Sequence, residues 1–364
     1  MPSRLESEQA AMRAMRELSE RMDASNASDL HLQEGEPPIL RIVAGLAPQT
    51  DMQPVDSGML KILLEGFLEP SEIEHLEKYG AVDGGVQLET MRLRMAAFRH
   101  RGGLAISFRR IPSTPPGFTD LHLPAVIKRF ANLPRGLIIL CGPTGCGKST
   151  TAAALIHLIN TSRRSHIITI EDPIEYVHKS RTSLVAQREV GHHTSTFANA
   201  LREALREDPD VILVGEMRDV ETIALALRAA ETGHLVFSTL HTSGAVGSIS
   251  RIIDAFEPDA RSTIRTQLSL VLMGVVSQLL LPTSDGKMRV PVCEVMIPTD
   301  AVRHLIRENQ LEQIPNIIQS GSTEGMLSFS AHIAQLTKEG LIDTAGGLEA
   351  VGEAWRIADM VFEK

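Results

Sequence analysis

The pattern of hydrophobic and polar positions changes character at a cluster of prolines, Pro112, Pro115 and Pro116 with Gly117. Ahead of it, the first two dozen residues mix Glu, Arg and Ala without an apolar run and read as an amphipathic helix. Short strands are expected at Ala27–Leu32 and Ile39–Val43, flanking the turn-prone Glu34-Gly35-Glu36-Pro37-Pro38, with a helical stretch over Ser57–Tyr79. Two runs then alternate with a period of two, Met91–Met95 and Leu104–Arg109, separated by a segment containing Gly102-Gly103. Met91, Leu93 and Met95 fall on one face, as do Leu104, Ile106 and Phe108. If these faces share a core in an antiparallel hairpin, Arg94 and Arg109 emerge together on the opposite face.

Beyond the prolines, apolar runs alternate with helical stretches, the pattern of a mostly parallel sheet covered by helices. Strands are expected at Gly136–Cys141, His166–Ile170, Val211–Val214 and Leu235–Thr239. From about Leu240 onward the chain reads as mainly helical, with a break at Gln319-Ser320-Gly321. The organisation expected is a first domain over 1–113, a linker over 114–120 and a second domain over 121–364.

The candidate chemistry sits in the second part. Gly142-Pro143-Thr144-Gly145-Cys146-Gly147-Lys148-Ser149 fits G-x-x-x-x-G-K-[ST], directly after an apolar strand and before a helical run that opens at Thr150. Glycines let backbone wrap phosphates, and the following helix N-terminus favours anions. Lys148 then reaches the β/γ-phosphates and Ser149 is placed to ligate Mg²⁺. Cys146 reads as a small filler in the loop. Val211–Val214 ends in Gly215-Glu216, where Glu216 could orient or deprotonate a water beside the γ-phosphate. A carboxylate at a strand end is by itself an ordinary solvated group, and the upstream loop is what changes the reading. Glu171, just past His166–Ile170, is a second strand-end acid suited to Mg²⁺ and water, whereas Glu175 reads as surface. His234 and His241 bracket the strand Leu235–Thr239 and are candidates to sense the nucleotide.

Composition narrows the function classes. A chain of 364 residues with 43% hydrophobic content has enough apolar surface for at least one full core. The net charge of −9 with dispersed Lys and Arg lacks the basic footprint of a nucleic-acid binder. Three cysteines, Cys141, Cys146 and Cys293, form no CxxC pair, which argues against a structural zinc or a disulfide framework and for a reducing, cytoplasmic setting. The longest apolar stretch, Leu268–Leu281, is interrupted by Ser269, Gly274, Ser277 and Gln278 and is too short and polar to span a membrane.

In this order the four segments resemble the Walker A, Asp box, Walker B and His box of the secretion ATPase superfamily. Ala27–Leu32 is similar to the family's N-terminal PAS-like domain, and Arg206-Glu207-Asp208-Pro209-Asp210 to the approach to its Walker B strand. Ala301–Glu308 resembles the C-terminal motif of the pilus retraction ATPases, departing at Val302 and His304. The resemblance covers about Ala27 to Ile342. It implies an α/β protein with an N-terminal PAS-like α+β domain followed by a RecA-like P-loop domain with a helical C-terminal part. It also implies an ATP- and Mg²⁺-dependent homohexamer that works on an inner-membrane pilus platform protein, peripheral to that membrane. Arg94 and Arg109 match positions from which the family's arginines reach the phosphates, while Arg101 is out of step with the usual spacing. Pilus-assembly and type II secretion ATPases, the nearest rivals, usually carry a four-cysteine zinc insertion. A nucleotide-binding accessory subunit is the non-enzyme rival. In the C-terminal motif, Val302, Leu305 and Ile306 form an apolar stripe, and Arg303 and Arg307 share a face expected to be available to a partner.

Overall fold

In the computed structural model, the structure describes residues 4–42, 45–88, 91–111, 115–286, 288–343 and 352. Val43 of an expected strand, Pro112 and Thr114 near the expected linker, and most of the stretch beyond 343 lie outside these residues. The chain divides into two compact units, Met1–Ser113 and Thr114–Lys364.

The first unit begins with α1 (Arg4–Ala24), whose buried Ala11, Met15, Leu18 and Met22 recur at helical spacing. Strands β1 (Asp29–Gln33), β2 (Ile39–Ile42) and β3 (Gly45–Pro48) follow. The single helical stretch expected over Ser57–Tyr79 is two helices, α2 (Ser57–Phe67) and α3 (Pro70–Tyr79). Pro70 cannot donate to the turn before it, so Leu68 is extended and a new helix starts, with the Glu72 carboxylate accepting the Glu69 N–H at 2.8 Å. Then come β4 (Ala81–Gln87), β5 (Arg92–His100) and β6 (Gly103–Ile111). All six strands form one antiparallel sheet in the order β3-β2-β1-β6-β5-β4. The alternation seen in the sequence is realised: Leu93, Met95, Ile106 and Phe108 are fully buried, and Arg94 lies directly opposite Arg109 on the other face.

The second unit is built on a seven-stranded sheet. In chain order its elements are β7 (Gly136–Cys141), α4 (Lys148–Ser162), β8 (His166–Glu171), β9 (Leu184–Glu189), α5 (Phe197–Ala204) and β10 (Val211–Val214). They continue with α6 (Val220–Glu231), β11 (Leu235–Leu240), α7 (Gly244–Asp254), α8 (Arg261–Val271), β12 (Leu272–Pro282) and β13 (Arg289–Met296). Helices α9 (Asp300–Arg307), α10 (Ile314–Ser320) and α11 (Phe329–Lys338) close it. The sheet order is β13-β12-β7-β11-β10-β8-β9, parallel except for the β12–β13 pair. Helices α7–α11 predominate in the region after Leu240, as expected, but β12 and β13 also lie within it, and these strands were not expected. Both faces of β12 are covered, so its sequence shows no alternation and does not announce a strand. Strand β7 sends Leu137 and Ile139 to one core and Ile138 and Leu140 to the other, which seats it in the middle of the domain. Each such side chain contributes about 1.5–3 kcal/mol through burial, enough to hold the loop at its end in register.

Candidate functional site

Strand β7 ends at Cys141 and α4 begins at Lys148, leaving Gly142–Gly147 as the loop between them. Two of its glycines are required by a close approach of β12. Gly142 (φ 140°) would place a Cβ 2.2 Å from the Gln278 carbonyl oxygen, and Gly147 (φ 90°) one 2.8 Å from Gln278 Nε2. Gly145, at φ 79°, borders open space. Lys148 is buried, and its Nζ donates to the carbonyls of Gly142 at 2.7 Å and Pro143 at 2.9 Å. Burial lowers its pKa from the ordinary lysine value. Ser149 is exposed on the first turn of α4, and the next residue, Thr150, hydrogen-bonds the Tyr176 hydroxyl at 3.0 Å.

Parallel pairing brings the ends of neighbouring strands to the same edge as this loop. At the end of β8, the Glu171 carboxylate accepts from Thr169 Oγ1 at 2.6 Å and Gln187 Nε2 at 3.1 Å. Burial pushes its pKa up despite both hydrogen bonds. Past β10, the Glu216 side chain is only 12% exposed; it contacts Arg218 and lies 3.3 Å from His241 Nε2. His241 follows β11 directly, and its Nδ1 lies 3.5 Å from Thr144 Oγ1 in the loop. Burial, then the positive charges of Lys148 and Arg218, hold the imidazole pKa below its ordinary value. His241 thus spans loop and strand-end acid.

His234 is not part of this cluster. It precedes β11, its carbonyl accepting the Gly136 N–H at 2.9 Å, which puts it at the opposite edge of the sheet, a strand's length of about 20 Å away. Its Nδ1 sits 2.9 Å from the Ala229 carbonyl, a local tie to the end of α6. In the first unit, Arg109 Nε donates to Asp29 at 2.9 Å and Arg94 stands 3.8 Å from Asp83, so each arginine of the pair has an acid beside it.

Some residues of the loop's surroundings carry no motif signal. Gln278 touches it directly, Tyr176 touches Thr150 on the first turn of α4, and Gln187 touches Glu171. Gln278 reads in the sequence only as a polar interruption of an apolar run. Beside the loop, a cavity of about 240 Å³ is bordered by Asp120, His122, Thr150, Leu280, Met288 and Arg289.

The C-terminal motif departs from its expected use. Val302, Leu305 and Ile306 are buried as an apolar stripe. Arg303, however, is spent on the end of α8: its guanidinium donates to the Ser269 carbonyl and, at 3.1 Å, to that of Leu270. Arg307 reaches Ser269 Oγ at 3.3 Å but remains exposed. The last carbonyls of a helix have no partners within it, and here one guanidinium nitrogen, Arg303 Nη1 on the packed neighbour, supplies two of them.

The family model for "Type II/IV secretion system protein" matches residues 83–323. A twitching motility protein of Neisseria gonorrhoeae is 52% identical over 251 residues, 69% of this chain and 67% of that protein. The type IV pilus retraction ATPase PilT of Pseudomonas aeruginosa is 43% identical over 324 residues, 89% of this chain and 94% of that protein. The crystal structure of the pilus retraction motor PilT with bound ADP superposes with a TM-score of 0.85 at 43% identity, covering 92% of this chain and 96% of that one. A Walker-type loop, a strand-end glutamate and a bridging histidine at one sheet edge, in a chain so extensively similar to these, mean that it belongs to the type II/IV secretion system protein family and, within it, to the pilus retraction ATPases.

Proposed function

We propose that this chain is one subunit of a homohexameric motor that hydrolyses ATP to ADP and phosphate and uses the energy to retract a type IV pilus. The observation that carries the reading is the bridge from Thr144 in the loop through His241 to Glu216, beside a buried Lys148. The triphosphate lies along Gly142–Thr150, and the open space at Gly145 suits backbone approach to a phosphate. Lys148 exchanges the carbonyls of Gly142 and Pro143 for phosphate oxygens. Glu216 orients the attacking water, and His241 reports through Thr144 whether the γ-phosphate is present. The base occupies the cavity beside Thr150, where Leu280 and Met288 offer apolar contact.

Among the described residues no cluster of three His, Cys, Asp or Glu side chains is able to cage a metal. Ser149 and Glu171 provide hard oxygen donors of the kind that Mg²⁺ takes in ones and twos, with water and phosphate completing its shell. Held there, the ion would supply positive charge to offset that of the phosphates.

Arg94 and Arg109 serve the nucleotide of a neighbouring subunit, an idea supported by their direct cross-strand pairing. The first unit, 1–113, acts as the PAS-like domain, 114–120 as the linker and 121–364 as the RecA-like motor domain; the antiparallel and parallel sheets support this division. The ring works in the cytoplasm against an inner-membrane platform protein and not nucleic acid. Among the described residues no helix is long and apolar enough to cross a membrane. The test is a mixing experiment. Chains carrying Arg94→Ala and Arg109→Ala, mixed with Glu216→Gln chains, recover ATPase activity if the arginines act in trans. Mixed rings that stay inactive at every ratio would overturn that arrangement, and a wild-type chain without ATPase activity would overturn the motor.

A further inference from the structure

Strand β12 is apolar along most of its length, yet carries two polar side chains in succession at its buried centre. Adjacent residues of a strand face opposite ways. Ser277 turns to one side, where its Oγ accepts the Gly244 N–H of α7 at 3.1 Å. Gln278 turns to the nucleotide loop. A buried amide is costly unless both of its ends are bonded. Here both are: Nε2 donates to the Cys146 carbonyl at 2.7 Å, and Oε1 accepts from Thr151 Oγ1 at 2.8 Å. One side chain therefore ties the last residues of the loop to the first turn of α4. The same residue forms the wall against which Gly142 and Gly147 are packed, its carbonyl against the first and its amide against the second.

The loop needs such a tie. Three of its six residues are glycines at positive φ, the residue type with the most backbone freedom to lose. Lys148 meanwhile draws the Gly142 and Pro143 carbonyls toward its own Nζ. A loop that follows that pull fills its cavity with its own carbonyls. We infer that Gln278 is a positioning residue that holds the loop in its phosphate-receptive shape before a nucleotide arrives. The inference rests on the nucleotide reading of Gly142–Thr150 given above. Losing the tie lowers the competent fraction of the loop, and apparent affinity falls by that fraction for any nucleotide that enters it.

The experiment uses the full chain, with equilibrium binding of ATP and of ADP, turnover at saturating ATP, and alkylation of the nucleotide-free protein by N-ethylmaleimide read by mass spectrometry. Cys146 is 3% exposed while Cys141 and Cys293 are fully buried, so the last two serve as internal controls. Gln278→Leu is expected to weaken ATP and ADP alike by about tenfold, the scale of two lost hydrogen bonds, with kcat changed less than about threefold. It speeds alkylation of Cys146 alone. Thr151→Val, which removes only the Oε1 anchor, shifts both readings the same way by less, and stands as the test if the leucine variant does not fold. Unchanged affinities with unchanged Cys146 labelling overturn the inference, as does a loss of kcat at constant affinity, or labelling of all three cysteines together. A wild-type chain that binds neither nucleotide removes the underlying reading and this inference with it. A wild type that binds while the variants bind equally well removes this inference alone.

Discussion

The loop Gly142–Gly147 and helix α9 carry the two most family-like stretches of the chain, and they differ in how far their residues do what their pattern suggests. In the loop, Lys148, expected to reach phosphates, is buried with its Nζ on the loop's own carbonyls, and Thr144, Glu216 and His241 meet at one sheet edge. In α9, the apolar stripe packs as expected, but Arg303 caps α8 and does not wait on the surface. The chemistry of a phosphate loop is mostly backbone chemistry, so glycine spacing announces it. An arginine on a helix face announces only a positive charge. Its partner, the carbonyl end of α8, lies more than thirty residues earlier in the chain.

The largest effect that sharpens this contrast is on turnover. Glu216→Gln keeps nearly the same shape and is expected to retain ATP binding while lowering kcat by about 10²–10⁴-fold, the range for a lost general base. Lys148→Ala is expected to lose turnover together with affinity, since the cation of the cradle is removed. Steady-state kinetics with equilibrium ATP binding separates the two. Glu216→Gln turning over at the wild-type rate would break the assignment of the loop edge as the reacting edge.

On the α9 side the expected effect is on stability. Arg303→Ala leaves the Ser269 and Leu270 carbonyls without the guanidinium, at a cost of about 1–3 kcal/mol. Denaturant melts of the full chain measure it. Arg303→Lys is expected to recover most of the loss, because a single nitrogen, Nη1, makes both carbonyl contacts and only the Nη2 contact with Met273 Sδ at 3.7 Å has no counterpart in a lysine. A melt unchanged by Arg303→Ala would return this residue to the surface role that its sequence pattern suggests.

Where the sequence was legible, the reason is local. The alternation in β5 and β6 placed Arg94 opposite Arg109, and the apolar runs of β7, β8, β10 and β11 were visible because each precedes a turn or a helix signal. Strands β12 and β13 were not visible, since burial on both faces erases the period of two. The same blindness hid Gln278, whose meaning depends on the loop that β12 lies beside. His234 and His241 look equivalent in the chain, bracketing one strand, yet a parallel strand has one functional end and only His241 stands there.

A smaller effect is expected from pH. His332 on α11 accepts the Cys293 N–H through Nδ1 at 2.9 Å, which requires a neutral ring, and burial, opposed slightly by Glu339, lowers its pKa from 6.5 to about 4. His178 is lowered to about 4 by burial and the nearby His157. The folded state therefore binds fewer protons than the unfolded chain between these values. Stability contributed by the neutral rings is complete above about pH 6.5 and declines as pH falls toward about 4. His332→Leu is expected to flatten that decline, by about 1–2 kcal/mol between pH 7 and pH 5. Melts at the two pH values read it; an equal slope in wild type and variant would place the titration elsewhere.

The smallest effect expected in vitro belongs to Arg307, and it makes the most discriminating comparison with Arg303. Arg307 is exposed, its side-chain hydrogen bond to Ser269 Oγ is long at 3.3 Å, and its own carbonyl accepts from Arg265 whatever side chain it bears. Arg307→Ala is therefore expected to change stability by less than about 0.5 kcal/mol, as surface substitutions do. The loop-edge residues proposed for hydrolysis do not include Arg307, so ATPase activity of the variant should match wild type. Of the two arginines in the motif, Arg307 is then the one with a charge to offer a partner, and the two substitutions should diverge: Arg303→Ala weakens the fold, whereas Arg307→Ala leaves fold and turnover intact but impairs pilus retraction in cells. Measured side by side, melts, ATPase rates and twitching decide the matter. Normal twitching in Arg307→Ala would leave α9 with a structural role alone, its apolar stripe and one arginine serving to hold α8 in place.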